Sequence, residues 1–300
     1  VDVRRLELLL ELSRLGSMRE VADELGLTTS TVSQQLAALA SEVGVPLLEP
    51  VGRRVRLTAA GRRLADHAVT VLAAVEAARR DLDPEAEPVG TVRVASFGTG
   101  VRRALQPLVA ELAATYPQVR LHLAEHEPLE SFDLLAADDV DLALVYDYTL
   151  APAAWPARLA VSPLWTVPYG LAVPAADAPA QEVRRTSTEV LADFAQRPWI
   201  TNSRNTADEE AVRTLASMAG FTPRIEHRID SLELVAGLIG DGLGVGLLPL
   251  PAPGAEPAGV RVLTLSDPPL TQRAYAVVRA GREAWPPLRL VLERLAAQRS

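Results

Sequence analysis

The chain has no cysteine and no lysine, and aromatic residues fill only 4% of its 300 positions. Without cysteine there can be no disulfide, no thiolate metal site and no thiol nucleophile. Without lysine, all 30 basic residues are arginine. Beside the abundant alanine, proline and glycine, that reads as codon bias rather than selection at one site. With so few aromatics, the cores must be built from leucine, valine and alanine. No apolar run approaches the roughly 18 residues of a membrane span, and the charged, amphipathic N-terminus is not an apolar signal sequence. The expectation is a soluble, cytoplasmic protein. A net charge of −8 argues against a non-specific nucleic-acid coat, yet leaves room for a local basic surface. Arg53, Arg54, Arg56, Arg62 and Arg63 supply one, with no acidic residue among them.

Residues 3–15 read as a helix with Val3, Leu6, Leu9 and Leu10 on one face, ended by Gly16. Ser17 and Glu20 have capping-box spacing. They open a helix to about Leu25, with Val21, Ala22 and Leu25 inward. Gly26-Leu27 make a tight turn that Leu27 plugs. Thr28 is placed to cap a third helix reaching about Ser41, with Val32, Leu36 and Leu39 buried. Two short helices across a tight turn make a helix-turn-helix, although any small helical hairpin fits that spacing too. A turn at Gly52 then joins two short extended pieces into a basic β-wing. Over 58–82 the pattern is one long helix, about 36 Å at ~1.5 Å per residue. Leu57, Leu64, Ala68, Val71, Val75, Ala78 and Leu82 alternate in steps of four and three, with Gly61 in one slot. That is a heptad seam, and a second copy is its expected partner, with packing on the helix's own domain as the alternative. Residues 83–90 are acidic and bounded by Pro84 and Pro88, a hinge. From 91 onward strand and helix patterns alternate, which implies an α/β domain with mainly parallel strands.

This order resembles the LysR-type transcriptional regulators. The carrying residues run from Ser17 to Leu25, then Leu27-Thr28, Val32-Ser33, Gln35-Leu36, Leu39, Gly44-Val45-Pro46-Leu47, and Gly52 through Thr58 to Gly61. A looser likeness persists in Tyr116-Pro117, Asp141-Leu142-Ala143, Pro198-Trp199-Ile200, Asp230-Ser231-Leu232-Glu233 and Gly242 through Pro249. Departures fall at Ala40, Leu48, Pro50 and His126, where the family more often has Glu, Phe, Arg and Gly. The resemblance implies an α/β protein with an N-terminal winged helix-turn-helix domain (1–60), a dimerisation linker helix (58–82), a hinge (83–90) and an effector domain (91–300). That domain would resemble type II periplasmic binding proteins, with lobe I about 91–163 and 268–300 and lobe II about 164–267. Homodimers through the linker helix, tetramers and RNA polymerase are further implied partners.

In a helix-turn-helix the second helix enters the major groove of double-stranded DNA. Thr29, Ser30, Ser33 and Gln34 then face the bases, and the Gln34 amide can pair with both edges of adenine. Thr28, Arg19, Arg53, Arg54 and Arg56 are phosphate candidates; Thr28 also reads as a simple cap, and the arginines as a solvated face. Effectors in open α/β folds sit beyond the carboxyl ends of strands. That points to Ser96, Phe97, Thr99 and Gly100, to Tyr146, and to Thr201, Asn202, Ser203 and Arg204. The Gly98-Thr99-Gly100 helix start and Arg204 suggest an anionic metabolite, although Arg204 equally fits a surface residue and Ser96 and Thr99 fit simple helix caps.

No catalytic residue, metal site or cofactor is expected. Gly98-Thr99-Gly100 lacks the third glycine of a dinucleotide loop, because Arg103 stands there. His122, Glu125 and His126 read as strand polarity, and Asp138, Asp139 and Asp141 as a solvated loop. A plain solute-binding protein is the other rival, and the N-terminal reader speaks against it.

Overall fold

The computed structural model describes residues 1–51, 54–82, 87–179, 185–204, 207–252 and 254–298. Helix α1 (Val3–Leu15) is capped by Asp2, whose side chain accepts from the Arg4 N–H, and is closed by Gly16 in the left-handed conformation. Ser17 caps α2 (Met18–Glu24) by accepting from the Glu20 N–H. Thr28 does the same for α3 (Thr29–Val43) through the Thr31 N–H. A cap of this kind contributes about 1 kcal/mol. The three helices bury Leu6, Leu9, Leu12, Val21, Ala22, Val32, Leu36 and Leu39 in one core. Leu25 and Leu27, expected inward, are exposed. Helix α2 stops at Glu24 and Leu25 leaves helical geometry, so neither side chain follows the inward stripe.

The wing is β1 (Leu48–Val51) against β2 (Arg54–Leu57), antiparallel from Leu48↔Leu57 to Val51↔Arg54. Its Gly52 turn lies outside the described residues. Helix α4 (Ala59–Leu82) follows. Thr58 accepts from the Gly61 N–H and donates to the Pro46 carbonyl, which ties the helix start to the wing. The expected seam is divided. Leu57 and Ala68 are buried against the protein's own α1 core, Leu64 is half-buried beside them, Val71 is 42% exposed and Ala78 is exposed.

The rest is one mixed sheet. Its strands are β3 (Gly90–Ser96), β4 (Val119–Glu125), β5 (Leu142–Tyr148), β6 (Leu159–Pro174), β7 (Pro198–Thr201), β8 (Arg224–Arg228), β9 (Val245–Pro249), β10 (Val260–Thr264) and β11 (Leu270–Arg279). The order is β4-β3-β5-β11-β6-β9-β7-β8, with β10 beside β6. Strands β3, β4 and β5 pair in parallel at one end, and β7, β8 and β9 at the other. The two ends are joined by the long strands β6 and β11, antiparallel to each other and to their neighbours. The expectation of mainly parallel strands therefore holds within each half and fails at the crossover. Two halves bridged by two long strands make the two-lobed plan.

Helices cover both faces: α5 (Gly98–Gly100), a π turn (Val101–Leu105) and α6 (Gln106–Thr115) in one run, then α7 (Pro128–Ala137), α8 (Ser187–Ala192), α9 (Ala207–Met218), α10 (Leu232–Gly240) and α11 (Pro286–Ala297). Asp138 and Asp141 are buried, which corrects the solvated-loop expectation. Asp141 pairs with Arg93 at 2.9 Å and Arg282 at 3.4 Å, and Asp138 with Arg279 at 3.0 Å. A buried carboxylate needs such partners.

Candidate functional site

On the N-terminal domain, burial of Val32, Leu36 and Leu39 turns the opposite face of α3 to solvent. Thr28, Thr29, Ser30, Ser33 and Gln34 are all exposed there. The Thr28 hydroxyl accepts from the Thr31 N–H at 3.1 Å, so it acts as a cap, and it also lies 2.8 Å from the hydroxyls of Ser30 and Thr31. Thr29, Ser33 and Gln34 make no side-chain hydrogen bond among the described residues. Arg19 is exposed and only loosely paired with Asp23 at 3.9 Å. Arg56 is held by Glu49 across the wing, at 2.7 and 3.0 Å. Arg53 and the Arg54 side chain lie outside the described residues.

In the second domain, a cleft of about 690 Å3 opens between the halves at the carboxyl ends of β3, β5 and β7. Of the residues anticipated from sequence, Phe97, Thr99, Tyr146 and Asn202 line it. The others do not. Ser96 is fully buried, with its hydroxyl donating to the Phe97 carbonyl, and Gly100 packs behind it. Thr201 is buried behind the wall. Ser203 and Arg204 are both bound to Asp230, Arg204 at 3.0 Å, and Arg204 also meets Glu130 at 3.5 Å and Glu125 at 3.8 Å. The arginine expected to receive an anion is thus held by the protein's own carboxylates. The helix start after Phe97 has a carboxylate too: a Cβ at Gly98 would lie 3.2 Å from Glu125 Oε1.

Several lining residues were not anticipated: Glu127, Tyr148, Tyr169, Asp208 and Gln272. The Tyr146 hydroxyl donates to Glu127 at 3.0 Å and accepts from Asn202 Nδ2 at 3.3 Å, which links the two halves across the cleft. Gln272, from β11, donates to Tyr169 at 3.1 Å. Tyr148 accepts from Gln272 Nε2 at 3.5 Å, and Asp208 lies beside it in the lining. Burial pushes the Glu127 carboxyl up to about 7, against the lowering effect of the Tyr146 bond. Burial likewise pushes Asp208 up to about 6. Tyr148 and Tyr169 rise for the same reason and stay protonated. Tyr148 had a signal, since residues two apart on a strand share a face and Tyr146 was already identified. Gln272 had none, because only the crossover brings β11 here. Among the described residues no group of three or more His, Asp or Glu is placed to hold a metal ion, and no helix is long and apolar enough to cross a membrane.

Two family models match the chain. Residues 3–62 match the bacterial regulatory helix-turn-helix protein, lysR family, and residues 85–300 the LysR substrate binding domain. Among curated relatives, the uncharacterized HTH-type transcriptional regulator YcgK of Bacillus subtilis is 24% identical over 90% of this chain and 86% of its own length. The HTH-type transcriptional activator CmpR of Synechocystis is 26% identical over 94% and 90%. Among solved structures, a full-length OxyR variant from Pseudomonas aeruginosa aligns over 100% of this chain and 94% of its own, with 21% identity and a TM-score of 0.71. CbnR complexed with its target DNA aligns over 100% of both chains, with 21% identity and a TM-score of 0.52. A reader helix on a wing, a long linker helix and a cleft between two bridged half-sheets thus occur together in a chain that both family models cover, and the chain belongs to the LysR family of DNA-binding transcriptional regulators.

Proposed function

We propose that two copies of the chain, paired along α4, set two α3 helices into successive major grooves of an operator with an interrupted palindrome, and that a small molecule in the cleft controls the arrangement. In this division residues 1–60 read DNA, 58–82 pair the copies, 83–90 form the hinge and 91–300 sense the effector. Lobe I takes about 91–163 and 268–300, and lobe II about 164–267. Residues 83–86 lie outside the described residues. Assembly to a tetramer and contact with RNA polymerase complete the proposal. It gives the chain no catalytic reaction and places it where its DNA is, in the cytoplasm.

The observation that carries the reading is that Thr29, Ser33 and Gln34 are exposed and unengaged on α3, with Gln34 on the face opposite the buried Val32 and Leu36 and Thr29 and Ser33 on its flank. Gln34 is assigned to a base, and Thr29 and Ser33 to bases or phosphate. Arg19, Arg53 and Arg54 are assigned to phosphate, Thr28 and Ser30 to holding the helix start against it, and Arg56 to bracing the wing through Glu49. The test is titration of the protein onto DNA from upstream of its own gene, with scrambled DNA as control, at several salt concentrations. Selective binding that weakens steeply with salt is expected. Gln34→Ala should lose about 1–3 kcal/mol of discrimination at one base pair in each half-site. A genome-wide search that finds no selective site would overturn the reading.

A further inference from the structure

The cleft presents acceptors where an anion would need donors. Its five lining carboxyls face one lining arginine, Arg102, which is paired with Glu233 at 3.2 Å. Asp230 is neutralised by Arg204. Glu127 and Asp208 remain, with no ion pair among the described residues. Asp208 Oδ1 and Asn202 Oδ1 are both shielded from solvent and have no hydrogen-bond partner, and Asn202 is only 5% exposed. A buried acceptor left unmade is costly and calls for a donor. Beside these atoms, Phe97, Tyr146, Tyr148 and Tyr169 form a continuous chain of edge-to-face rings with centroids 4.9, 5.9 and 5.2 Å apart. Aromatic rings attract cations through their quadrupoles.

We propose that the cleft binds a small organic cation whose ammonium N–H groups bond Asp208, Asn202 and Glu127 against the tyrosines. The proposal rests on the cleft being the effector site, and its charge is opposite to the sequence expectation. The ligand is organic rather than a bare metal ion, because the cleft continues into an annex of about 250 Å3 walled by Trp165 and Val167, where the Arg103 guanidinium lies over the Trp165 ring at 5.2 Å. That space suits an alkyl or aryl tail. The raised carboxyl pKa values agree with a site built to be neutralised. Glu127 faces Tyr146 on β5, Glu130 on its own helix, and Arg204, Asp208 and Asp230 across the cleft. Asp208 faces Tyr148 and Asp230. A bound cation holds both carboxyls ionised, so binding releases protons and tightens as pH rises.

The test uses the full chain with putrescine, agmatine and phenethylamine as probes, and succinate and benzoate as anionic counterparts. Calorimetry and thermal shift are run at about pH 5.5 and about pH 8, which bracket both carboxyls. An amine should bind once per chain, about tenfold or more tighter at the higher pH, with a heat that varies with the ionisation enthalpy of the buffer. Asp208→Asn should weaken it by about tenfold or more, and Asp208→Glu, which keeps the charge, by less. Circular dichroism checks that both variants fold, and the wild-type comparison of amine with anion stands without them. Anions binding while amines do not would overturn the cationic ligand and leave the cleft as the effector site. Amine binding that ignores Asp208→Asn would also overturn it. If neither class binds, the ligand proposal and the effector reading fail together.

Discussion

Glu127 caps α7 from the floor of the cleft, with 5% of its surface exposed and no cation of its own. Its carboxyl is ordinary in the unfolded chain and lies near 7 in the fold, raised chiefly by burial. A carboxyl raised on folding contributes stability that is complete below its unfolded pKa and is lost as pH climbs through the folded one. The window is therefore about 4.5 to 7 for Glu127 and 3.8 to about 6 for Asp208. Without ligand, the effector domain should lose about 2 kcal/mol between pH 5 and 8 from Glu127, on a scale of ~1.4 kcal/mol per unit. Glu127→Gln should flatten that profile, and melting curves of both proteins across the window test it; parallel profiles would refute the assignment. These two carboxyls were hard to find in the sequence for a physical reason. An isolated acid before Pro128, or one in the first turn of a helix, ordinarily reads as a cap or a solvated charge. Only the third dimension shows that Tyr146 and Tyr148 stand over them. Phe97, Thr99 and Asn202 were legible because the ends of strands are where chains of this kind hold ligands.

Elements were legible where one period ruled. Helices α1 to α4 match their expected spans within about two residues, because apolar spacing and a capping residue agree at each start, and a glycine closes α1 and α3. Strands β8 and β10 had no such agreement. The sequence of β8, Arg-Ile-Glu-His-Arg, is that of an edge strand, charged on the outside and lying last in the sheet order. At the junction of wing and linker, Gly61 was expected merely to occupy a seam position. In the structure a Cβ there would collide with the Leu47 carbonyl oxygen. Gly61→Ala gains about 1 kcal/mol of helix propensity, but the backbone clash costs about 1–3 kcal/mol. The clash wins, because the obstacle is main chain held by the Thr58 N–H to Leu47 carbonyl bond at 2.9 Å. Urea unfolding of the N-terminal domain should therefore show a lower midpoint for Gly61→Ala. An unchanged or higher midpoint would mean that the wing gives way.

At the scale of the whole molecule, β11 runs from the cleft wall to α4. Gln272, near its start, is in the cleft wall, and Arg279, at its end, reaches Asp66 of α4 at 3.2 Å. Two residues on, Gly281 is so close to Thr70 of α4 that no Cβ fits between them. One strand of about 23 Å, at ~3.3 Å per residue, thus spans from the cleft to α4. A ligand shifts DNA binding only if it favours one placement of α4 over another, and a stiff strand seated at both ends is a physical route for that preference. Gly281→Ala should unseat the α4 end and leave the cleft intact. The expected result is unchanged effector affinity with a much smaller effector-induced change in operator affinity. Gly281 also has a left-handed backbone, so strain alone is a competing cause. Thr70→Ala in the same chain separates the two, because it removes the Oγ1 and Cγ2 that the new Cβ would meet. Partial recovery of the response in the double variant, read as a double-mutant cycle, supports transmission through this contact. Equal loss in single and double variants would place the coupling elsewhere, and loss of effector affinity in Gly281→Ala would show that the cleft and the α4 contact are not separable.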